Sequence, residues 1–315
     1  MVSHETGYNP FFPLVLASEA TERVELVTAI AVAFARSPMD VAYTAWDLQA
    51  MSGGRFVLGL GSQVRGHIVR RYSMPWSSPA GRMREYVLAL RAIWESWQKG
   101  GRLAFEGGHY HINLMPPVFN PGPIEHPHVP VHIAAVNPRM LRVAGEVCDG
   151  VLLHTFISLK YTNEVVLPNL EAGAKKAGRS LKELEVSGGG FIVTGANEEE
   201  VAANREAVRS RIAFYASTRS YAPVMEIHGW GETAQKLYRM SVEGRWGEMA
   251  GEITDEMLET FAVIGRYDEI IEKVKARFGA FATAVNFSIP LRTPGDEERL
   301  KGMVGRLKGG VGGGA

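Results

Sequence analysis

Short runs that are apolar throughout, with no alternation, recur along this chain and constrain its fold more than any other feature. They lie at residues 24–32, 56–61, 129–136, 150–155, 186–194 and 284–290. A strand with one wet face alternates apolar and polar side chains, whereas a strand apolar at every position is covered on both sides. Helical patterns separate the runs. Residues 38–51 open on Pro38 and stop at Gly53-Gly54, and within 79–97 the residues Met83, Tyr86, Val87, Leu90, Ile93 and Trp94 recur at helical spacing. A third helix opens at Pro138, directly after a strand, and is read over 138–146. Such alternation predicts βαβ units around a parallel sheet. Six runs, with Met1-Val2-Ser3 as the end of a seventh, predict an α/β chain folded as a (β/α)8 TIM barrel. On this reading the first strand and helix, on the order of 30 residues, lie upstream of the chain. The alternative is an open doubly wound sheet that starts at residue 1.

Two segments interrupt the alternation. Residues 101–128 hold Gly107-Gly108-His109-Tyr110-His111-Ile112 and then a proline-rich run, which reads as a hairpin followed by a long surface crossing. Residues 196–260 carry helical periodicity without a strand signal, and read as a helical insertion before the last strand. The expected organisation is one barrel domain over 1–308 and a flexible glycine-rich tail over 309–315.

Charge excludes whole classes of partner. With 34 basic against 34 acidic side chains among 315 residues, no global field draws nucleic acid or an anionic membrane. Recognition must be local, and a small-molecule substrate is expected. The single cysteine, Cys148, rules out an internal disulfide or a cysteine metal cluster, which suits a reducing, cytoplasmic setting. The first residues lack the basic and apolar regions of an export signal, and no apolar stretch is long enough for a span. The nine histidines form neither an HxH after a first strand nor an HExxH helix, so no metal site is expected.

Barrel enzymes place their chemistry on the loops that follow strand C-termini, which is where the candidate residues of this chain cluster. Ala134-Ala135-Val136-Asn137-Pro138 ends a strand on small residues and opens a helix whose unpaired N–H groups suit a phosphate. The plainer alternative makes Asn137 an ordinary N-cap. Ser62 and Gln63 follow Gly61, and His154-Thr155 follows the run from 150. A lone histidine at a strand end is also a common structural residue.

The motifs Ser37-Pro38, Arg55-Phe56-Val57-Leu58-Gly59-Leu60-Gly61, Val131-His132-Ile133-Ala134-Ala135, Ala144-Gly145 and Asp149-Gly150-Val151 stand in an order and spacing that resemble the luciferase-like family. Within it, the chain is most similar to F420-dependent oxidoreductases of mycobacterial type. The resemblance runs from about His4 to Leu291 and implies a (β/α)8 barrel with a helical insertion. It further implies coenzyme F420, or FMN as the alternative, bound at the strand C-termini, and a homodimer. The strand holding Thr28-Ala29-Ile30-Ala31 is then the one that in this family carries a bulge or cis peptide, with Ala29 admitting a flat ring and Ile30 supporting it. The same resemblance implies cofactor contacts at Ser62, Gln63, Ala134, Ala135, Val136, Asn137, His154 and Thr155. Where several relatives place a carboxylate two residues beyond the serine, this chain has Val64, which argues against a sugar-phosphate dehydrogenase. His4-Glu5 replaces a family Asp-His pair in exchanged order, so His4 or Glu5, or Tyr8 as a phenolic alternative, is expected as general acid or base. Neighbouring strand residues point to opposite faces, so only one of His4 and Glu5 can face the ring.

In the helical insertion Tyr215, Tyr221, His228 and Trp246 read as the lining of a pocket for an apolar or aromatic molecule, or as that segment's own core. Three functions remain open on the sequence. They are an F420-dependent oxidoreductase moving hydride to or from a small organic substrate, an FMN-dependent monooxygenase, and a non-catalytic cofactor-binding barrel.

Overall fold

A computed structural model describes residues 1–309; of the expected tail, residues 310–315 lie outside the described residues. In chain order the elements run β1 Val2–Ser3, α1 Phe12–Ala20, β2 Leu26–Thr28, β3 Ala31–Val32, α2 Pro38–Met51, β4 Phe56–Gly61, α3 Arg65–Arg70, α4 Pro79–Lys99, β5 Phe105–Glu106, β6 His111–Ile112, β7 Val131–Ala134, α5 Pro138–Val147 and β8 Gly150–Leu152. Then follow α6 Leu159–Tyr161, α7 Leu167–Lys176, β9 Glu185–Gly188, β10 Phe191–Gly195, α8 Glu198–Ala216, α9 Ala222–Glu226, α10 Gly231–Val242, α11 Asp255–Phe261, β11 Ala262–Arg266, α12 Ile270–Phe278, β12 Ala284–Val285 and α13 Pro294–Lys308. The chain divides into two compact units, Met1–Leu152 with Pro168–Leu184, and Leu153–Leu167 with Glu185–Ala315.

In the first unit the strands pair in parallel, β1 with β2, β2 and β3 with β4, β4 with β7, and β7 with β8. All six residues of β4 are buried, as its unbroken apolar run requires of a strand covered on both faces. Helix α2 starts where the sequence says it should: the Ser37 hydroxyl accepts the Asp40 N–H at 3.1 Å, and Pro38 fills the first turn, where no N–H is needed. Helix α4 buries Met83, Tyr86, Val87, Leu90, Ile93, Trp94 and Trp97. Its Trp94 stacks on Trp46 of α2, ring centroids 6.5 Å apart. The crossing after the β5–β6 hairpin is tied down by donors from α2, Trp46 Nε1 to the Gly122 carbonyl at 3.1 Å and Gln49 Nε2 to the His128 carbonyl at 2.8 Å.

The second unit holds two parallel pairs, β9 with β12 and β10 with β11. Its core gathers Val263, Ile270, Ile271, Val274, Phe278, Ile289 and Met303. The helical excursion expected over 196–260 is present as α8 to α11, but it ends on β11, a strand the sequence reading did not anticipate. Several apolar runs are also shorter or more divided than expected. The run at 186–194 breaks at Gly189-Gly190 into β9 and β10, and of 284–290 only Ala284–Val285 pairs. Among the described residues, no helix is long and apolar enough to cross a membrane.

Candidate functional site

Parallel strands all finish at the same edge of their sheet, so the residues after β1, β2, β4 and β7 share one rim of the first unit. His4 and Glu5 leave β1 in different directions. The His4 Nδ1 meets the Ala29 carbonyl oxygen. A carbonyl only accepts, so the proton sits on Nδ1 and the neutral ring keeps Nε2 as its basic nitrogen.

Glu5 is 8% exposed and its two carboxylate oxygens are taken. One accepts the Val32 N–H at 2.7 Å and Arg36 Nη1 at 2.9 Å, and the other accepts the Tyr72 hydroxyl at 3.1 Å. Arg36 in turn lies 5.6 Å from the centre of the Phe11 ring. Burial first, and then the charge of Glu5, pushes the Tyr72 phenol above its ordinary range. This geometry gives Glu5 a holding task, joining β1, β3 and the segment after α3. Tyr8, at 57% exposure, is not drawn into the group.

The run at 24–32 is divided at a cis peptide bond between Ala29 and Ile30, the departure that the family resemblance implied for this strand. Immediately before it Thr28 grips Gly59, its hydroxyl donating to the Gly59 carbonyl at 2.8 Å and accepting the Gly59 N–H at 2.9 Å. A Cβ at Gly59 would stand 1.7 Å from the Thr28 carbonyl oxygen, so only glycine permits this approach. Ile30 packs over the end of β4, where a Cβ on Gly61 would come within 2.7 Å of its side chain.

Beyond β4, Gln63 adopts a left-handed backbone with φ 55°. Its side-chain oxygen accepts the Val64 N–H at 2.9 Å, which leaves its amide NH2 to donate. Ser62 donates to the Gln63 carbonyl at 3.2 Å. Past β7, Ala135 is buried and Asn137 occupies the N-cap position of α5 with φ −90° and ψ 152°, making no capping bond from its side chain. Thus the rim joins His4 directly to Ala29 and Ile30 to Gly61. Ser62, Gln63 and residues 134–137 stand on the ends of the paired strands β4 and β7. Sequence reasoning missed Arg36 and Tyr72, neither of which sits in a local motif that marks it.

In the second unit, His154 lies against Tyr215 and Tyr221, with centroid distances of 4.4 and 4.8 Å. Burial, helped by Arg211, holds its pKa down to about 4. Thr155 follows it, half-buried. His228 belongs elsewhere: its Nε2 meets the Ser158 hydroxyl at 2.7 Å and its ring stacks on Trp230. Trp246 lies half-exposed against Phe214.

Comparison with known proteins decides the family, because the sequence profile of the luciferase-like monooxygenases matches residues 1–284. The chain belongs to the luciferase-like monooxygenase family. An uncharacterized protein of Mycobacterium tuberculosis is 50% identical over 273 residues, covering 87% of this chain and 80% of the relative. Among solved structures, the coenzyme F420-dependent tetrahydromethanopterin reductase of Methanopyrus kandleri superposes with a TM-score of 0.76 at 25% identity, covering 96% of this chain and 88% of that one. The EDTA monooxygenase of a Chelativorans species shares the fold, with a TM-score of 0.67 at 14% identity over 98% of this chain and 79% of that one. The luciferase-like TIM-barrel fold expected from the sequence is therefore the fold of this chain.

Proposed function

We propose that this luciferase-like protein is an F420-dependent oxidoreductase that transfers a hydride between the deazaflavin ring and a small organic substrate. The observation that carries the reading is the junction of His4 with the Ala29–Ile30 segment, where a histidine with a basic Nε2 stands on the same rim as small, closely packed backbone. The likeness to an F420-dependent reductase over 96% of the chain supports the choice of cofactor. When bound, a deazaflavin supplies the hydride chemistry.

Residues of the rim fit such a group. Ala29, Ala134 and Ala135 keep side chains out of the path of a flat ring, and Ile30, braced on Gly61, offers it an apolar support. Ser62 and the free amide donor of Gln63 suit ring carbonyls, and Val136 and Asn137 lead into the first-turn N–H groups of α5, which suit a phosphate. His4 takes or gives the proton at Nε2, while Glu5, with Arg36 and Tyr72, holds the strand ends in place. Tyr8 is an exposed phenolic donor of second rank.

An FMN-dependent monooxygenase is the second reading, favoured by the family's own membership. Fluorescence titration of the purified chain with oxidised F420 and, separately, with FMN tests both. Tight binding of F420 with weak binding of FMN is expected. The reverse preference would move the function to the monooxygenase, and binding of neither would overturn both. In whichever reaction is found, His4→Ala should lower turnover by about a hundredfold or more, with cofactor affinity nearly unchanged. Unaltered turnover would remove His4 from the proton-transfer role.

A further inference from the structure

Three half-buried polar rings meet in the second unit, drawn from separate parts of the chain. His154 follows β8, Tyr215 ends α8, and Tyr221 lies in the 3-10 turn Arg219–Tyr221. The tyrosine centroids are 6.1 Å apart, each within 5 Å of the imidazole. Phe156 closes one side, its ring 6.0 Å from Tyr221. The backbone behind His154 is fixed by Gly189, where a Cβ would stand 2.2 Å from the His154 carbonyl oxygen.

The tautomer of His154 follows from one bond. The Phe156 N–H donates to His154 Nδ1 at 3.0 Å, and a backbone N–H can only donate, so Nδ1 is bare and the neutral ring carries its proton on Nε2. His4 has the opposite arrangement. Among the described residues, neither His154 Nε2 nor the hydroxyls of Tyr215 and Tyr221 have a protein hydrogen-bond partner. None of the three is among the sealed, unsatisfied atoms, so each keeps some accessible surface. The surroundings disfavour charge of either sign, since burial lowers the imidazole pKa and raises the Tyr221 phenol well above its ordinary range. Arg211, the nearby charged group, is exposed at the margin, its guanidinium 5.1 Å from the Phe191 ring.

We propose that His154, Tyr215 and Tyr221 form a binding site for the neutral, planar, carbonyl-bearing part of the substrate, a conjugated ketone or an aromatic amide. Its oxygen accepts the Nε2–H of His154, and its plane stacks on a tyrosine ring. His154 is thereby a fixed donor that sets specificity and moves no proton. Calling the ligand the substrate rests on the oxidoreductase reading; the site itself does not.

Benzamide, cyclohex-2-enone and benzoate, titrated by calorimetry and saturation-transfer NMR into the full chain without cofactor, test the site. Benzamide and cyclohexenone should bind, benzoate about tenfold more weakly, with affinity flat between about pH 5.5 and 8 because His154 stays neutral there. His154→Phe keeps a ring but loses the donor and should weaken benzamide about tenfold, whereas His154→Gln restores an N–H and most of the affinity. Circular dichroism checks that both variants fold; should His154→Phe fail to fold, Tyr221→Phe in the same titration takes its place, with weaker benzamide binding expected. Absence of benzamide binding, stronger binding of benzoate through Arg211, or a folded His154→Phe or Tyr221→Phe that binds benzamide normally would each overturn the proposal. These outcomes are independent of the F420 and FMN titrations, so either reading can fail alone.

Discussion

Single side chains carry the most exposed predictions. Glu5→Ala would strand the Arg36 guanidinium, 17% exposed, without its carboxylate and release both Val32 and Tyr72. A loss of about 3 kcal/mol in urea unfolding is expected, and a loss under about 0.5 would mean the pair contributes little. A buried and a half-buried histidine set a pH dependence. His132 and His154 are both held at about 4, chiefly by burial, against an ordinary value near 6.5. The unfolded chain therefore binds more protons below about pH 6.5, so their stability is fully present above that pH and is lost as the pH falls towards about 4, by up to roughly 3 kcal/mol each. Unfolding midpoints should drop between about pH 6.5 and 4.5, and His132→Gln should flatten that slope; an unchanged slope would show that His132 is not its source. Residue chemistry of this kind was partly legible in the sequence. His4, Gln63 and His154 declare themselves by standing after apolar runs, but their tautomers and partners do not. Tyr72 reaches Glu5 from 67 positions away, and no short-range signal marks such a pair.

Glycines separate close approach from mere permissiveness at the level of elements. Gly59→Ala and Gly189→Ala push a methyl into backbone oxygens at 1.7 and 2.2 Å, and each should destabilise by about 3 kcal/mol or more. Gly302, inside α13 with nothing within 4 Å of a Cβ, should behave oppositely, alanine there raising stability by about 1 kcal/mol. Thermal unfolding of the three variants reads both signs at once, and a destabilised Gly302→Ala would refute the packing of α13. The elements best foreseen were those with punctuation. Pro38 and Gly53 bracket α2, and the helix 38–51 was legible end to end. Strand β11 escaped because α11 ends at Phe261 and the strand begins at Ala262, with no glycine or proline between them to mark the change of period. The run at 24–32 looked like one strand because a cis bond between Ala29 and Ile30 leaves no mark in hydropathy.

Across the whole molecule, the balance of 34 basic and 34 acidic groups gives a pI near 7.2. Colloidal repulsion vanishes at that pH, so polyethylene glycol should precipitate the protein most readily near neutrality and less readily about 1.5 units to either side. A monotonic trend across that range would show that patches of charge, not the net value, govern its solubility. The pairing of β10 with β11 has a consequence of another kind. Helices α8 to α11 leave from Gly195 and return at Ala262 on two hydrogen-bonded neighbours, Phe191 opposite Ala262 and Gly195 opposite Arg266. A segment whose two ends are held on neighbouring, hydrogen-bonded strands can be lengthened, shortened or replaced without moving its anchors, because the entropy of closing the loop grows only slowly with its length. Tyr215 and Tyr221 travel inside that segment. On the proposed reading, two of the three recognition rings can therefore be exchanged as one cassette, without touching the sequence around His4 and Ala29.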